Sequence, residues 1–344
     1  MPDIELRFDK DMLVLSAPID AVLARQGIDS ARDRQYLNLM EPDVVQDALN
    51  LEMVAGAQCL VTTTEDITRA RLAHVRMDDD AERLAREALA IANDATPQHI
   101  LVEIGPTGLP LNSSSKASLN ENRAQYADAA RLFGNEGFDA FFLNGFTSIS
   151  DMKCALMGVA QVSDKPVFAS MAIGEAALEP VTVPSDGSST DADAADQSAS
   201  HAFSFYEPVE VPTFTGARKP RTPLPIEQWP EAVAAMEDLG ADVIGFETAD
   251  PIPKAVEYAQ QTARLTGLPL LAQLYVDPTL QGKKTSPLVP LADIEEYTPD
   301  TMGPVAVKLY GAGVQFLRAT GAATPAYTGS LAATVAGLDV HKNC

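Results

Sequence analysis

The chain has 344 residues, 46% of them hydrophobic, with 48 acidic against 25 basic side chains and a formal charge of −23. Such an acidic balance, with no Lys/Arg-rich run, argues against a nucleic-acid partner, because phosphate binding needs clustered positive charge. No segment reaches the roughly 20 apolar residues of a membrane span, and the charged N-terminus has no stretch apolar enough for a signal peptide, so a cytoplasmic protein is expected.

In chain order, residues 12–17 read as a short apolar strand stopped by Pro18, with a turn or short helix over 19–25. A helix over 42–54 starts at Pro42 and is ended by Gly56. Strand two covers 59–63 and ends in the polar tip Thr62-Thr63-Thr64-Glu65. A helix at 79–93, with acids in its first turn, precedes strand three at 99–104, which runs into the loop Gly105-Pro106-Thr107-Gly108. Helix 120–136, strand 140–143, helix 150–162 and strand 166–171 follow. Regularity then stops over 174–225, and the low-complexity part at 185–200 is too polar to offset its ordering entropy and is expected to be mobile. The aromatic, β-prone stretch from Phe203 to Phe214 reads differently, as a lid or a docking surface. Helix 229–239, strand 243–246, helix 253–265, strand 270–275, helix 298–312, strand 314–320 and helix 325–338 complete the chain.

Two segments, 137–172 and 240–275, are near copies of one βαβ unit. Eight strands apolar on both faces, alternating with helices, predict an α/β protein: one (β/α)8 TIM barrel over 1–344 with a long insertion after strand five. A doubly wound open sheet is the fallback, but LSAPID after the first strand is no glycine-rich phosphate loop. Cys59, Cys154 and Cys344 form no CxxC pair, and the first two sit in apolar runs, as small core residues in a reducing compartment do. His74, His99, His201 and His341 make no metal-ligand spacing.

The ordered pieces LNLMEPDVV (37–45), AGAQCLVTTTE (55–65) and IGPTG (104–108) resemble the homocysteine S-methyltransferase family. That resemblance implies the barrel, methyl transfer to a small thiol, and a zinc ion held by three cysteines that lowers the thiol pKa. The matching positions carry no cysteine. Thr248 stands at the cysteine of strand six, and Thr320 and Gly321, or Ala322 and Ala323 in another alignment, stand at the pair of strand eight. The Glu-Thr that the family uses after strand four is Asn144-Gly145. No metal is therefore expected at the family's site, and the reading is a methyltransferase-like barrel with an altered small-molecule substrate, for which a corrinoid protein is a candidate partner. The alternatives are a catalytically silent barrel serving as a binding or assembly subunit of a corrinoid methyl-transfer system, and a hydrolase or lyase.

Strand tips gather at one end of such a barrel, which makes Thr62, Thr64, Glu65, Glu103, Asn144, Glu247, Thr248, Gln273, Tyr275 and Thr320 the candidate site. Glu247 and Glu103 rank first as catalytic acid/base groups, since a carboxylate at a strand end costs desolvation unless it has a partner or a job. Ion pairing with Arg318 or Lys308 is the plain alternative. Strand alternation should turn about half of the set toward the helices.

Overall fold

The computed structural model describes residues 3–28, 36–180, 220–278, 296–336 and 338. The expected mobile stretch 185–200 and the aromatic stretch 203–214 lie outside the described residues, as do Cys344, His201 and His341.

Eight strands form one parallel sheet: β1 (Leu13–Val14), β2 (Cys59–Val61), β3 (His99–Ile104), β4 (Ala140–Phe146), β5 (Val167–Ala172), β6 (Val243–Thr248), β7 (Leu270–Val276) and β8 (Val314–Gly321). From β2 to β8 each pairs with its neighbour in sequence, and β1 pairs with β8. A parallel bridge from Leu15 to Cys59, with Ser16 N donating to Cys59 O at 2.8 Å, joins β1 to β2. The sheet is thus closed, and the open doubly wound alternative does not apply.

Ten helices with both ends among the described residues lie around it: α1 (Asp20–Arg25), α2 (Pro42–Ala55), α3 (Arg69–His74), α4 (Ala81–Asp94), α5 (Lys116–Arg131), α6 (Ile149–Val159), α7 (Trp229–Asp238), α8 (Ile252–Leu265), α9 (Pro299–Gly311) and α10 (Pro325–Val335). Of these α3 is unforeseen, being six residues long and without a full apolar period. α5 begins and ends earlier than its spacing predicts. Ser115 caps it by accepting from Ser118 N, and Gly134 and Gly137, both at positive φ, follow its end. β4 and β6 run past their predicted ends, to Phe146 and Thr248, and the polar side chains that this carries into the barrel, Asn144 and Glu247, find hydrogen-bond partners there.

Apolar packing occurs in two layers. Between sheet and helices lies the main core, with Trp229 fully buried and its indole N–H donating to Thr262 Oγ1 at 2.9 Å. Inside the barrel, Leu13, Leu15, Val61, Leu101, Phe142, Phe168 and Phe316 fill the lower half. An N-terminal 3-10 turn, Ile4–Arg7, closes that floor, and Phe8 sets its ring edge-on to Phe168 and Phe316 at centroid distances of 6.1 and 6.0 Å. With the floor plugged by apolar groups, polar chemistry is confined to the opposite end. Among the described residues no helix is long and apolar enough to cross a membrane.

One buried acid sits within the helical layer. Glu52 on α2 is 1% exposed, and its Oε2 accepts from Ala17 N at 2.9 Å and Thr328 Oγ1 at 2.6 Å, while Oε1 has no partner. Burial raises its pKa, against the two hydrogen bonds and the Arg318 charge, which lower it. A folded pKa above the ordinary 4.5 gives stability that is complete below that pH and lost as pH rises through the folded value. The difference in Tm between a Glu52→Gln variant and the parent should therefore move in the variant's favour between pH 4.5 and pH 8, measured by thermal denaturation across buffers. A constant difference would show that Glu52 is ionised in the folded protein.

Candidate active site at the barrel mouth

Register decides which of the candidate residues meet. Glu247 is level with Gln273, Gln273 with Arg318, and Tyr275 with Thr320 on β6, β7 and β8. Their side chains point into the barrel above the aromatic floor, as does Asn144 from β4. Gln273 Nε2 donates to Asn144 Oδ1 and Ser170 Oγ, both at 2.7 Å, and Asn144 Nδ2 donates to Glu103 Oε1 at 2.7 Å. Four strands are thereby linked across the lumen.

Arg318 completes this layer. Its Nη1 donates to Gln273 Oε1 at 3.2 Å and to Glu103 Oε1 at 3.3 Å, its Nε donates to Ser16 O at 2.9 Å, and its guanidinium lies 5.3 Å from the Phe142 ring centroid. It is 2% exposed. A charge so far from water needs a counter-ion, and Glu103 supplies it. Of the two cations considered as partners for the glutamates, Arg318 fills that role for Glu103, whereas Lys308 is exposed near the end of α9.

Beside this layer, Glu247 Oε1 accepts from Thr320 Oγ1 at 2.7 Å, and its Oε2 lies 2.7 Å from Arg221 Nη2. Arg221 comes from the far end of the insertion and was not among the residues picked from sequence. It is delivered by an antiparallel bridge to Leu178, with N–H to O distances of 3.0 Å in both directions, while Leu224 bridges Ile173 in parallel. These two bridges make a strap of residues 173–180 and 220–224 over the β5 to β7 side of the mouth. Leu178 packs on Ala172 and Tyr275, and the Tyr275 hydroxyl donates to Glu179 O. Burial opposes the Arg221 charge, yet Glu247 and Glu65 outweigh it and hold the guanidinium above its ordinary value. Burial first, and Glu247 second, push the Tyr275 hydroxyl up, so it stays a neutral donor.

Asp250, just past β6, fixes the root of the strap. Its carboxylate accepts from Ala176 N at 2.7 Å, Glu175 N at 3.0 Å and Tyr258 OH at 2.6 Å. It too was missed in the sequence.

The remaining candidates are not free at the mouth. Thr62 and Thr64 share a 2.6 Å hydrogen bond; Thr62 Oγ1 accepts from Glu103 N and Thr64 Oγ1 donates to Glu103 O, so both hold the β3 backbone. Glu65 O accepts from Gly105 N at 2.7 Å, and its carboxylate reaches toward Gly145 and Arg221. Thr248 Oγ1 accepts from Asp250 N at 3.1 Å on the outward side of β6. Glu103, Asn144, Glu247, Gln273, Tyr275 and Thr320 are brought together; Thr62, Thr64 and Thr248 act on neighbouring backbone.

The model of the family described as homocysteine S-methyltransferase matches residues 17–206, more than half of the chain. The chain belongs to the homocysteine S-methyltransferase family. No curated protein sequence is matched. Among solved structures, this member is similar to the homocysteine methyltransferase MmuM from Escherichia coli in its metallated form, with 14% identity and a TM-score of 0.63 over 94% of this chain and 96% of that one. The oxidised and apo forms of the same enzyme give 13% and 15% identity and TM-scores of 0.63 and 0.57. At such identity the likeness is one of fold.

Zinc held by three thiolates is what the family resemblance implies, and the residues at those strand ends do not fit it. Thr248 and Thr320 are engaged as described, and Gly321, Ala322 and Ala323 have no side-chain donor. Cys59 lies in the barrel floor, where burial pushes its thiol pKa up, and Cys154 lies on α6 with Sγ 3.7 Å from Leu119 O. Among the described residues no cluster of three His, Cys, Asp or Glu is placed to hold a metal ion.

Proposed function

We propose that this family member is a methyltransferase-like barrel that works at its mouth without a zinc-thiolate centre and on a substrate other than homocysteine, with Glu247 and Glu103 as the charged groups that orient it. The observation that carries this reading is the buried polar layer. Glu103, Glu247, Gln273, Arg318 and Thr320 are all 7% exposed or less. A barrel kept only as scaffold gains nothing from desolvating such groups, since apolar side chains of similar volume fill a lumen at no cost in lost hydration. Glu247, which accepts from Thr320 and pairs with Arg221, is placed to orient a polar substrate or take a proton from it; Glu103, tied to Arg318 and Asn144, sets the electrostatics of the same layer.

A corrinoid protein is our candidate for carrying the methyl group to the mouth. The second reading is a binding or assembly subunit without chemistry, and what favours it is that each glutamate is engaged by an arginine. Two measurements separate the readings. Metal analysis of the protein purified at neutral pH is expected to find no stoichiometric zinc; one zinc per chain would sink the proposal. Incubation with a methylated corrinoid protein and a panel of small thiols and amines should transfer label to an acceptor other than homocysteine. Ligand binding with no transfer under any combination would leave the subunit reading standing in its place.

A further inference from the structure

From the hydrogen bonds left open at the mouth, we infer that Arg221 is a ligand-binding residue that takes a carboxylate, which makes the substrate class a small carboxylic acid with no requirement for an amino group. This rests on the mouth being the ligand site.

The polar atoms of the inward layer are nearly all spent. Glu103 is neutralised by Arg318, Asn144 and Gln273 satisfy one another, the Thr320 hydroxyl is on Glu247, and the Tyr275 hydroxyl is on Glu179 O. Glu65 is itself engaged and is coupled electrostatically to Arg221. Among the fully buried side-chain atoms of the described mouth residues, two have no aligned partner: Arg221 Nη1, and Glu247 Oε2, which already faces Arg221 at 2.7 Å. The open donor is therefore cationic, and the open acceptor is covered by that same cation.

An open cationic donor calls for an anionic acceptor, because a guanidinium offers a second N–H edge in a fixed fork and a charge-assisted bond to an oxyanion is among the stronger polar contacts. An ammonium group has no such seat. To reach Glu247 Oε2 it would have to displace Arg221, whose backbone is held on both sides by Leu178.

Gly145 makes room for this arrangement. It sits at φ +82, and a Cβ built there would lie 3.2 Å from Arg221 Nη1, so a side chain at this position would press on the guanidinium. Asn144 beside it is neutral and occupied by Glu103 and Gln273. The strand-four end is thus shaped to admit Arg221 and carries no carboxylate for an amino group.

Two matched probes test the assignment on the full-length protein: 3-mercaptopropionate, a thiol with a carboxylate and no amine, and cysteamine, a thiol with an amine and no carboxylate. Calorimetric titration should find the acid bound about 10-fold or more tightly than the amine, as one charge-assisted hydrogen bond predicts. Arg221→Gln should abolish that preference while Arg221→Lys retains part of it, with near-ultraviolet circular dichroism showing that both variants fold. Preference for cysteamine, or a Gln variant that keeps the acid preference, would overturn the Arg221 assignment and leave the mouth as a ligand site. Binding of neither probe nor of any thiol or amine in the panel would overturn both.

Discussion

Replacing Arg318 with Met is expected to destabilise the protein by about 3–5 kcal/mol, because the substitution leaves Glu103 as an uncompensated charge in the lumen. The side chain is 2% exposed and makes three charge-assisted contacts, to Ser16 O, Gln273 Oε1 and Glu103 Oε1. Most of the cost is not the Coulomb energy of the pair. It is the desolvation of Glu103, which Arg318 offsets in the native protein. The double variant Glu103→Gln with Arg318→Met should therefore recover more than half of the loss, since the amide keeps an acceptor for Asn144 Nδ2 and carries no charge. Chemical denaturation of the two singles and the double gives the cycle. If the Arg318 single lies within 1 kcal/mol of the parent, water reaches Glu103 in the native state and the lumen is not dry.

Nearly all of the barrel was legible because parallel strands are buried on both faces. Runs such as HILVEI and LLAQLYV are apolar enough to stand out, and β3 falls where its run does. Polar residues at strand ends were legible as a group, by position. Which of them turn inward depended on register, and register depends on strands far apart in sequence. Thr62 and Thr64 look like mouth residues in the chain, yet they serve the β3 backbone.

Arg221 was not legible for a different reason. Forty-seven residues lie between it and Ile173, and no local pattern announces that the chain returns to bridge Leu178. Only the combination of a basic residue just before Thr222-Pro223-Leu224 and a long excursion from a strand tip could have pointed to it. Asp250 was hidden by its own context. Its carboxylate turns back to accept from Glu175 N and Ala176 N, some 75 positions earlier in the chain, a pairing that no local pattern announces.

Asp250 also defines the second large effect. Asp250→Ala should cost about 3–4 kcal/mol, since it strips a charged acceptor from two backbone N–H groups and a buried tyrosine hydroxyl at once. The 2% exposure of Asp250 leaves no route for water to replace it in place, so the strap root must move to find new partners. Gly174 cannot absorb that movement quietly: it sits at φ +122, with a built Cβ only 2.4 Å from Asp250 Oδ2, and the two positions are fitted to each other. Tyr297, whose hydroxyl donates to Asp250 O at 2.6 Å, bonds the backbone and survives the substitution, so β6 and α8 should keep their places while residues 174–178 loosen. The expected signature is a lower denaturation midpoint with faster proteolytic cleavage within the strap, and a weakened preference for 3-mercaptopropionate, because Arg221 reaches Glu247 only while Leu178 holds it. Asp250→Asn, which keeps an acceptor oxygen but no charge, should fall between. Equal cleavage rates for parent and Ala variant would mean that the strap is held by Leu178 and Tyr275 alone, and that Asp250 stabilises β6 without positioning Arg221.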